Sequence, residues 1–303
     1  MAERLALAEV RARTCKDRDA WWTVLLVDPL AVRLVRLVAP YRWITPNRLT
    51  TAAFLLGLGA AACFWEQSRL WLIAGALLFH ASFVLDCMDG KVARLNGTGS
   101  VFGAWMDYVF DRLRVVTCTV GLMGGQYART GRIVYLLVGG LVIFLDLFRY
   151  LNALQIAKAK DAMRAGLTVV GGMRPVFLEE TGHADPERPV VDVYQGFRSR
   201  FRRFVAIRDA LVRHRIRAHL ISGIEFQMAV FIVGPLTGWI AGTALVAGAL
   251  LAAFEMLLIY KLWIATRDAG SEVPVQQGHV ADRLQAGLGV QLEGAGVAGR
   301  GLE

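Results

Sequence analysis

Four aspartates set the chemistry open to this chain. They stand in Asp86-Cys-Met-Asp89-Gly90-Lys-Val-Ala93-Arg94 and, after eight further residues, in Gly103-Ala-Trp-Met-Asp107-Tyr-Val-Phe-Asp111. Asp86 and Asp89 are spaced i, i+3, Asp107 and Asp111 i, i+4, so on helices each pair shares a face. The surroundings are apolar: hydrophobic residues run from Leu70 to Leu85 and resume at Val115. Four carboxylates at the edge of such a segment are costly without counter-charge, and like charges that close repel unless cations neutralise them. A divalent-cation site is the reading, with Mg²⁺ or Mn²⁺ favoured by hard oxygen ligands. Two ions clamping a pyrophosphate stabilise both the entering and the leaving oxygen of an in-line displacement. Gly90 and Gly103 lack a side chain where a nucleotide needs close approach, Ala93 keeps the same surface low, and Arg94 offers a positive fork for phosphate.

The elements that position these residues are apolar helices. Trp21–Val38, with Arg33 and Arg36 among apolar residues, reads as an amphipathic helix lying in the headgroup region, with Asp28-Pro29 as its cap and first turn. Thr45-Pro46-Asn47 repeats that device and opens a first span over 47–65, whose Gly57, Gly59 and Ala60–Ala62 provide a close-packing face. The second span, 70–94, ends in the first Asp pair; Asn96-Gly97 and Gly99 make the turn; the third span starts near Val101 and carries the second pair. Both pairs thus flank one turn, on one side of the membrane. Residues 125–132 make the opposite turn, and a fourth span, 133–157, carries Asp146 and Arg149 at i, i+3. These read equally as a buried ion pair and as a cavity wall; with the intramembrane acids Glu225 and Glu255 they are assigned to an acceptor pocket. A hydrophilic segment, 158–219, follows, whose arginine run Arg198–Arg203 reads as a membrane-surface helix; then come two more spans, 220–239 and 240–263.

The expected fold is therefore an all-α integral membrane protein with six transmembrane helices plus an N-terminal interfacial amphipathic helix. Its domains are a cytoplasmic arm and interfacial helix at 1–44, a six-helix membrane domain at 45–264, and a disordered glycine-rich tail at 265–303. Basic residues gather in the N-terminal arm and in 158–219, against Arg69, Arg129 and Arg132 on the other side. By the positive-inside rule the Asp pairs and both termini are cytoplasmic and the protein is integral to the cell membrane.

The motif resembles that of the CDP-alcohol phosphotransferase (class-I CDP-alcohol phosphatidyltransferase) family, D-x-x-D-G-x-x-A-R, eight spacers, G-x-x-x-D-x-x-x-D. All eight fixed positions are matched, by Asp86, Asp89, Gly90, Ala93, Arg94, Gly103, Asp107 and Asp111. The resemblance implies attack of an alcohol on the β-phosphorus of a CDP-linked donor with release of CMP. It makes Asp86, Asp89 and Asp107 metal ligands and Asp111 both a ligand and the general base. It also implies a homodimer. CDP-diacylglycerol with a polar alcohol acceptor is the leading pair, in phospholipid biosynthesis; a CDP-linked small alcohol with a lipid or polyol acceptor uses the same chemistry. Asn47 reads equally as a nucleotide contact and as a helix-end residue.

Composition narrows the alternatives. With 303 residues, 55% of them hydrophobic, the chain is a membrane protein rather than a pair of soluble domains. Met1–Glu9 has acids and no long apolar core, unlike a secretory signal. The net charge of +9 flanks the apolar spans, which argues against nucleic acid as partner. Cys15, Cys63, Cys87 and Cys118 lack C-x-x-C spacing and read as packing residues; Lys91 reads as a solvated interface lysine, His80 as a packing residue, and His183, His214 and His219 as surface. A divalent-cation transporter is the competing class, but transporters favour midplane sites and inverted repeats, and here the acids lie at one edge.

Overall fold

The computed structural model describes residues 6–41, 43–171, 174–176, 190–192, 214–217 and 221–272. Two compact units divide the chain: Met1–Gln155 with Phe201–Leu258, and Ile156–Arg200 with Ile259–Glu303. All the motif residues lie in the first.

Four described helices are long and apolar enough to cross a membrane: Pro46–Trp65, Arg69–Asn96, Val134–Met163 and Ile240–Arg267. We label the helices α1 (Leu7–Thr14), α2 (Asp28–Val38), α3 (Pro46–Trp65), α4 (Arg69–Asn96), α5 (Val101–Thr119), α6 (Gly125–Thr130), α7 (Val134–Gly171), α8 (Gly223–Met228), α9 (Gly234–Thr237) and α10 (Ile240–Glu272). The places of the third and fifth expected spans hold interrupted helices. A π-helical turn, Val120–Gly124, joins α5 to α6, and another, Ala229–Val233, joins α8 to α9. The second of these runs, Gly223–Thr237, is about 22 Å long at 1.5 Å per residue, short of a hydrocarbon core of about 30 Å.

Local chemistry sets the ends of the helices that matter. The Thr45 hydroxyl accepts the Arg48 N–H (3.4 Å) with Pro46 at the first helical position, as expected. α4 stops at Gly97, whose φ of 65° suits a residue without Cβ; the Thr98 N–H also reaches back to the Ala93 carbonyl (3.1 Å). The Ser100 hydroxyl then accepts the Gly103 N–H (3.0 Å) and starts α5. One turn, capped on both sides, fixes the two Asp pairs relative to each other.

α3 packs against both motif helices, and its small residues allow this. Gly57 and Ala60 are buried, and a Cβ on Gly121 would lie 2.3 Å from the Ala61 carbonyl oxygen, so α3 and the π-turn touch backbone to backbone. Phe64, Phe79 and Phe231 stack behind this contact in the core. Cys63 and Cys118 are buried, and Cys15 and Cys87 pack against the core.

Several expectations are corrected. Asp28 does not cap a helix start: the helix is already running through a π-turn, Thr23–Val27, and the wider turn accommodates Pro29, which has no N–H to give. Asp28 is buried and paired with Lys91 (2.8 Å), so Lys91 is no solvated lysine but half of a buried ion pair joining α2 to α4. The opposite turn falls at Gly131 (φ 66°), because residues 125–130 remain helical. α10 continues to Glu272, past the expected end of the membrane domain at 264. The described residues are helical as expected apart from Arg174–Val176 and Val190–Asp192, which pair in the second unit as short parallel strands, β1 and β2. The arginine run at 198–203, His183, His219 and the tail from 273 lie outside the described residues.

Candidate active site

Asp89 and Asp107 lie nearer the capped turn on α4 and α5; Asp86 and Asp111 lie about one helical turn deeper. Carboxylate oxygens of Asp86, Asp89 and Asp107 come within 4.8 Å of one another. The Thr50 hydroxyl of α3 donates to Asp89 Oδ2 (2.5 Å) and orients it. Asp89 and Asp107 form part of the wall of a cavity of about 170 Å³ bounded by Asn47, Thr50, Gly90, Ala93, Ser100 and Gly103 among others. Hard oxygens from two rigid helices, converging beside an open cavity, suit a Mg²⁺ or Mn²⁺ ion.

Asp111 is placed differently. Arg114 Nη2 pairs with its Oδ1, and Arg112 Nη2 lies 3.6 Å from its Oδ2, so each oxygen faces a guanidinium. Arg114 also reaches Asp86 Oδ1 through Nη1 (3.4 Å), and the same nitrogen donates to Ser82 Oγ (3.1 Å). The expected single hollow of four carboxylates is thus a group of three, two of them on the cavity wall, with Asp111 joined to the third, Asp86, through Arg114.

Of the expected nucleotide contacts, Asn47, Gly90, Ala93 and Gly103 line the cavity. Gly103 serves Asn47 first: a Cβ there would lie 2.9 Å from Asn47 Oδ1. The nearest atoms to the missing side chain of Gly90 are those of the Arg94 guanidinium, the closest at 3.4 Å. Arg94 itself donates from Nε to the Thr14 carbonyl at the end of α1 (2.8 Å).

The expected acceptor-pocket residues are spread over separate contacts. Asp146 and Arg149 do not pair with each other. Asp146 pairs with Arg112 and accepts from Gln227 Nε2 (2.8 Å), while Arg149 meets Glu255 (3.0 Å), which also accepts from Asn152 (2.6 Å). Glu225 closes the capping box of α8, accepting the Ser222 N–H at 2.9 Å. The Arg112 guanidinium lies 3.5 Å from the Tyr150 ring centroid, so a line of charge runs from Asp111 through Arg112 to Asp146 on α7.

Sequence reasoning missed Thr50, Ser82, Arg112 and Arg114. The signal for Arg114 was legible: an arginine three residues beyond the last motif aspartate, facing an apolar bundle, needs a carboxylate, and the spacing supplies Asp111. Thr50 and Ser82 sit on other helices or turns, and no local pattern marks them.

Residues 43–178 match the model of the CDP-alcohol phosphatidyltransferase family. The chain is similar to the archaetidylinositol phosphate synthase of Pyrococcus horikoshii, 35% identical over 100 residues, which are 33% of this chain and 52% of that protein. It is also similar to the phosphatidylinositol phosphate synthase of Corynebacterium glutamicum, 34% identical over 89 residues (29% and 37%). A third relative is the CDP-diacylglycerol–glycerol-3-phosphate 3-phosphatidyltransferase of Cereibacter sphaeroides, 39% identical over 83 residues (27% and 38%). The matches span about half of the first relative's length and less of the other two.

Proposed function

We propose that this chain, whose residues 43–178 match the CDP-alcohol phosphatidyltransferase family model, is a membrane transferase of that kind acting on a CDP-linked donor. In this reading an acceptor hydroxyl oxygen bonds to the donor's β-phosphorus. The bond from that phosphorus to the bridging pyrophosphate oxygen breaks, and CMP leaves with the bonding electrons. The observation that carries this is the meeting of the Asp86, Asp89 and Asp107 oxygens, within 4.8 Å of one another, with Asp89 and Asp107 on the wall of a cavity that Gly90 and Ala93 also line.

Each residue has a part. Asp86, Asp89 and Asp107 would hold Mg²⁺ or Mn²⁺, which when bound would supply charge neutralisation at the pyrophosphate. Two ions are the expectation from four carboxylates; three of the four gather into one ligand set. Gly90, Ala93 and Asn47 give the nucleotide a low surface, and Arg94, beside Gly90, flanks it. Asp111 takes the hydroxyl proton: an ionised carboxylate has about four acceptor positions, so contacts to two arginines leave it lone pairs for that proton. The Arg112–Asp146 pair, together with Arg149, Glu225 and Glu255, forms the acceptor side. The donor is CDP-diacylglycerol, which fits a cavity beside apolar helices, and the acceptor is a small polar alcohol. The relatives' names, two for inositol phosphate lipids as products and one for glycerol 3-phosphate as acceptor, support a phosphorylated polyol. Six helical passes, an interfacial helix and a cytoplasmic cavity complete the reading, in a homodimer.

The experiment is product identification. Purified protein with CDP-diacylglycerol and a panel of inositol phosphate, glycerol 3-phosphate, inositol and serine is expected to release CMP and give one new lipid, whose mass names the acceptor. Turnover only with a CDP-linked small alcohol would reverse donor and acceptor; no CMP from either donor class would remove the reading.

A further inference from the structure

Arg114 lies between two of the four motif carboxylates. Its guanidinium joins Asp86 Oδ1 (3.4 Å) to Asp111 Oδ1, the deeper member of each Asp pair, on the side of the carboxylates facing the bundle interior. We propose that Arg114 is a built-in cation of this centre, so that the protein loads one divalent ion, at Asp86, Asp89 and Asp107, and not two. The proposal rests on the metal-centre reading above and specifies its stoichiometry.

Three observations carry it. First, the ligand set is divided: Asp86, Asp89 and Asp107 converge on one another, whereas both oxygens of Asp111 face arginines, Arg114 on Oδ1 and Arg112 on Oδ2. Second, the place for Arg114 is built. The residue is 1% exposed; Ser82 Oγ accepts from Nη1; Phe79 presents its ring 5.8 Å from the guanidinium carbon. α3 makes room with Gly57, where a Cβ would lie 2.7 Å from Arg114 Cγ and 2.8 Å from Cδ, while Cys118 ties α5 to the Gly57 carbonyl (3.4 Å). Third, the charge is permanent. A guanidinium keeps its proton across the whole working pH range, so it neutralises Asp86 and Asp111 whether or not an ion is bound. A divalent ion between those two carboxylates would meet a fixed like charge that the walls of its slot prevent from withdrawing.

Arg114 is thus a positioning residue. It fixes Asp111 for proton transfer and turns one side of Asp86 away from metal, leaving the other carboxylate oxygens to the single ion.

The test counts ions. The full-length protein in detergent micelles, stripped with EDTA, is titrated with Mn²⁺, and free Mn²⁺ is followed by electron paramagnetic resonance. The wild type is expected to bind one ion per chain, as is Asp111→Asn. Asp107→Asn should weaken that ion at least tenfold. Arg114→Gln frees Asp86 and Asp111, and the count should rise to two; Arg114→Lys, which keeps the charge, should stay at one. Two ions on the wild type, one of them lost in Asp111→Asn, overturns the proposal, and this pair decides it even if Arg114→Gln does not fold. A count of one in folded Arg114→Gln also overturns it, as does no bound ion in the wild type. CMP release, measured in parallel, separates the two readings: one ion without turnover with any donor removes the transferase and leaves the stoichiometry standing.

Discussion

At Asp111 a guanidinium faces each carboxylate oxygen, while at Asp89 the closest polar contact is a neutral hydroxyl, from Thr50. In the proposed reading this difference in partners divides the labour: Asp111 is held in place for a proton, and Asp89 stays available to a cation. Asp111→Asn keeps the shape and hydrogen-bonding size of the side chain but cannot accept the proton. It is expected to lower turnover by about 10²–10⁴-fold, with metal affinity within a factor of a few of wild type, as read from CMP release beside Mn²⁺ titration. Thr50→Val removes a hydrogen bond to a charged group and should weaken metal binding by about tenfold, with the protein still folded. The carboxylates were legible from the sequence because their spacing is local to two helices. Their division into three and one was not, because it depends on Arg114 turning inward, and that in turn on a glycine on a different helix.

The two motif helices owe their register to the short capped turn, but their separation to α3. Gly57 is where this is most exposed: a methyl group there collides with Arg114 Cγ and Cδ, which lie mid-chain and cannot swing clear. Gly57→Ala is expected to cost about 1–3 kcal/mol, and Gly57→Ala with Arg114→Ala to cost clearly less than the sum of the two single changes, measured as thermal unfolding in detergent. α2 is attached to α4 by the buried Asp28–Lys91 pair. Lys91→Met leaves Asp28 without its nearest cation and should destabilise by about 3 kcal/mol, whereas Lys91→Met together with Asp28→Leu should recover most of the loss in the same melt. Helix positions, the α4–α5 turn and the Thr45 cap were readable from apolar runs, glycine and cap chemistry. Where two helices meet through charge, as at Asp28 and Lys91 or at Asp146 and Arg112, sequence spacing carried no signal, since the partners are remote in the chain. The π-turns escaped for a related reason: they answer to packing, such as the contact of Gly121 with Ala61, and leave no residue pattern of their own.

Across the whole molecule, the proposed topology has the α4–α5 turn and the α6–α7 turn face opposite sides of the bilayer. Val101, 92% exposed, and Ile133, 61% exposed, mark the two ends. Single cysteines there, in a chain whose four cysteines are replaced by alanine, should react with a membrane-impermeant maleimide from opposite sides of sealed vesicles, Val101→Cys from the cytoplasmic side. Reaction of both from the same side would contradict the topology. The central claim, that Asp86, Asp89 and Asp107 hold a cation that the transfer needs, is tested most directly by CMP release from CDP-diacylglycerol by EDTA-stripped protein, supplied with an acceptor mixture, as Mg²⁺ or Mn²⁺ is added back. The account predicts no release without added metal, saturable recovery for the wild type, and none for Asp89→Asn at any metal concentration that saturates the wild type. Undiminished release in EDTA, or full recovery by Asp89→Asn, would contradict it.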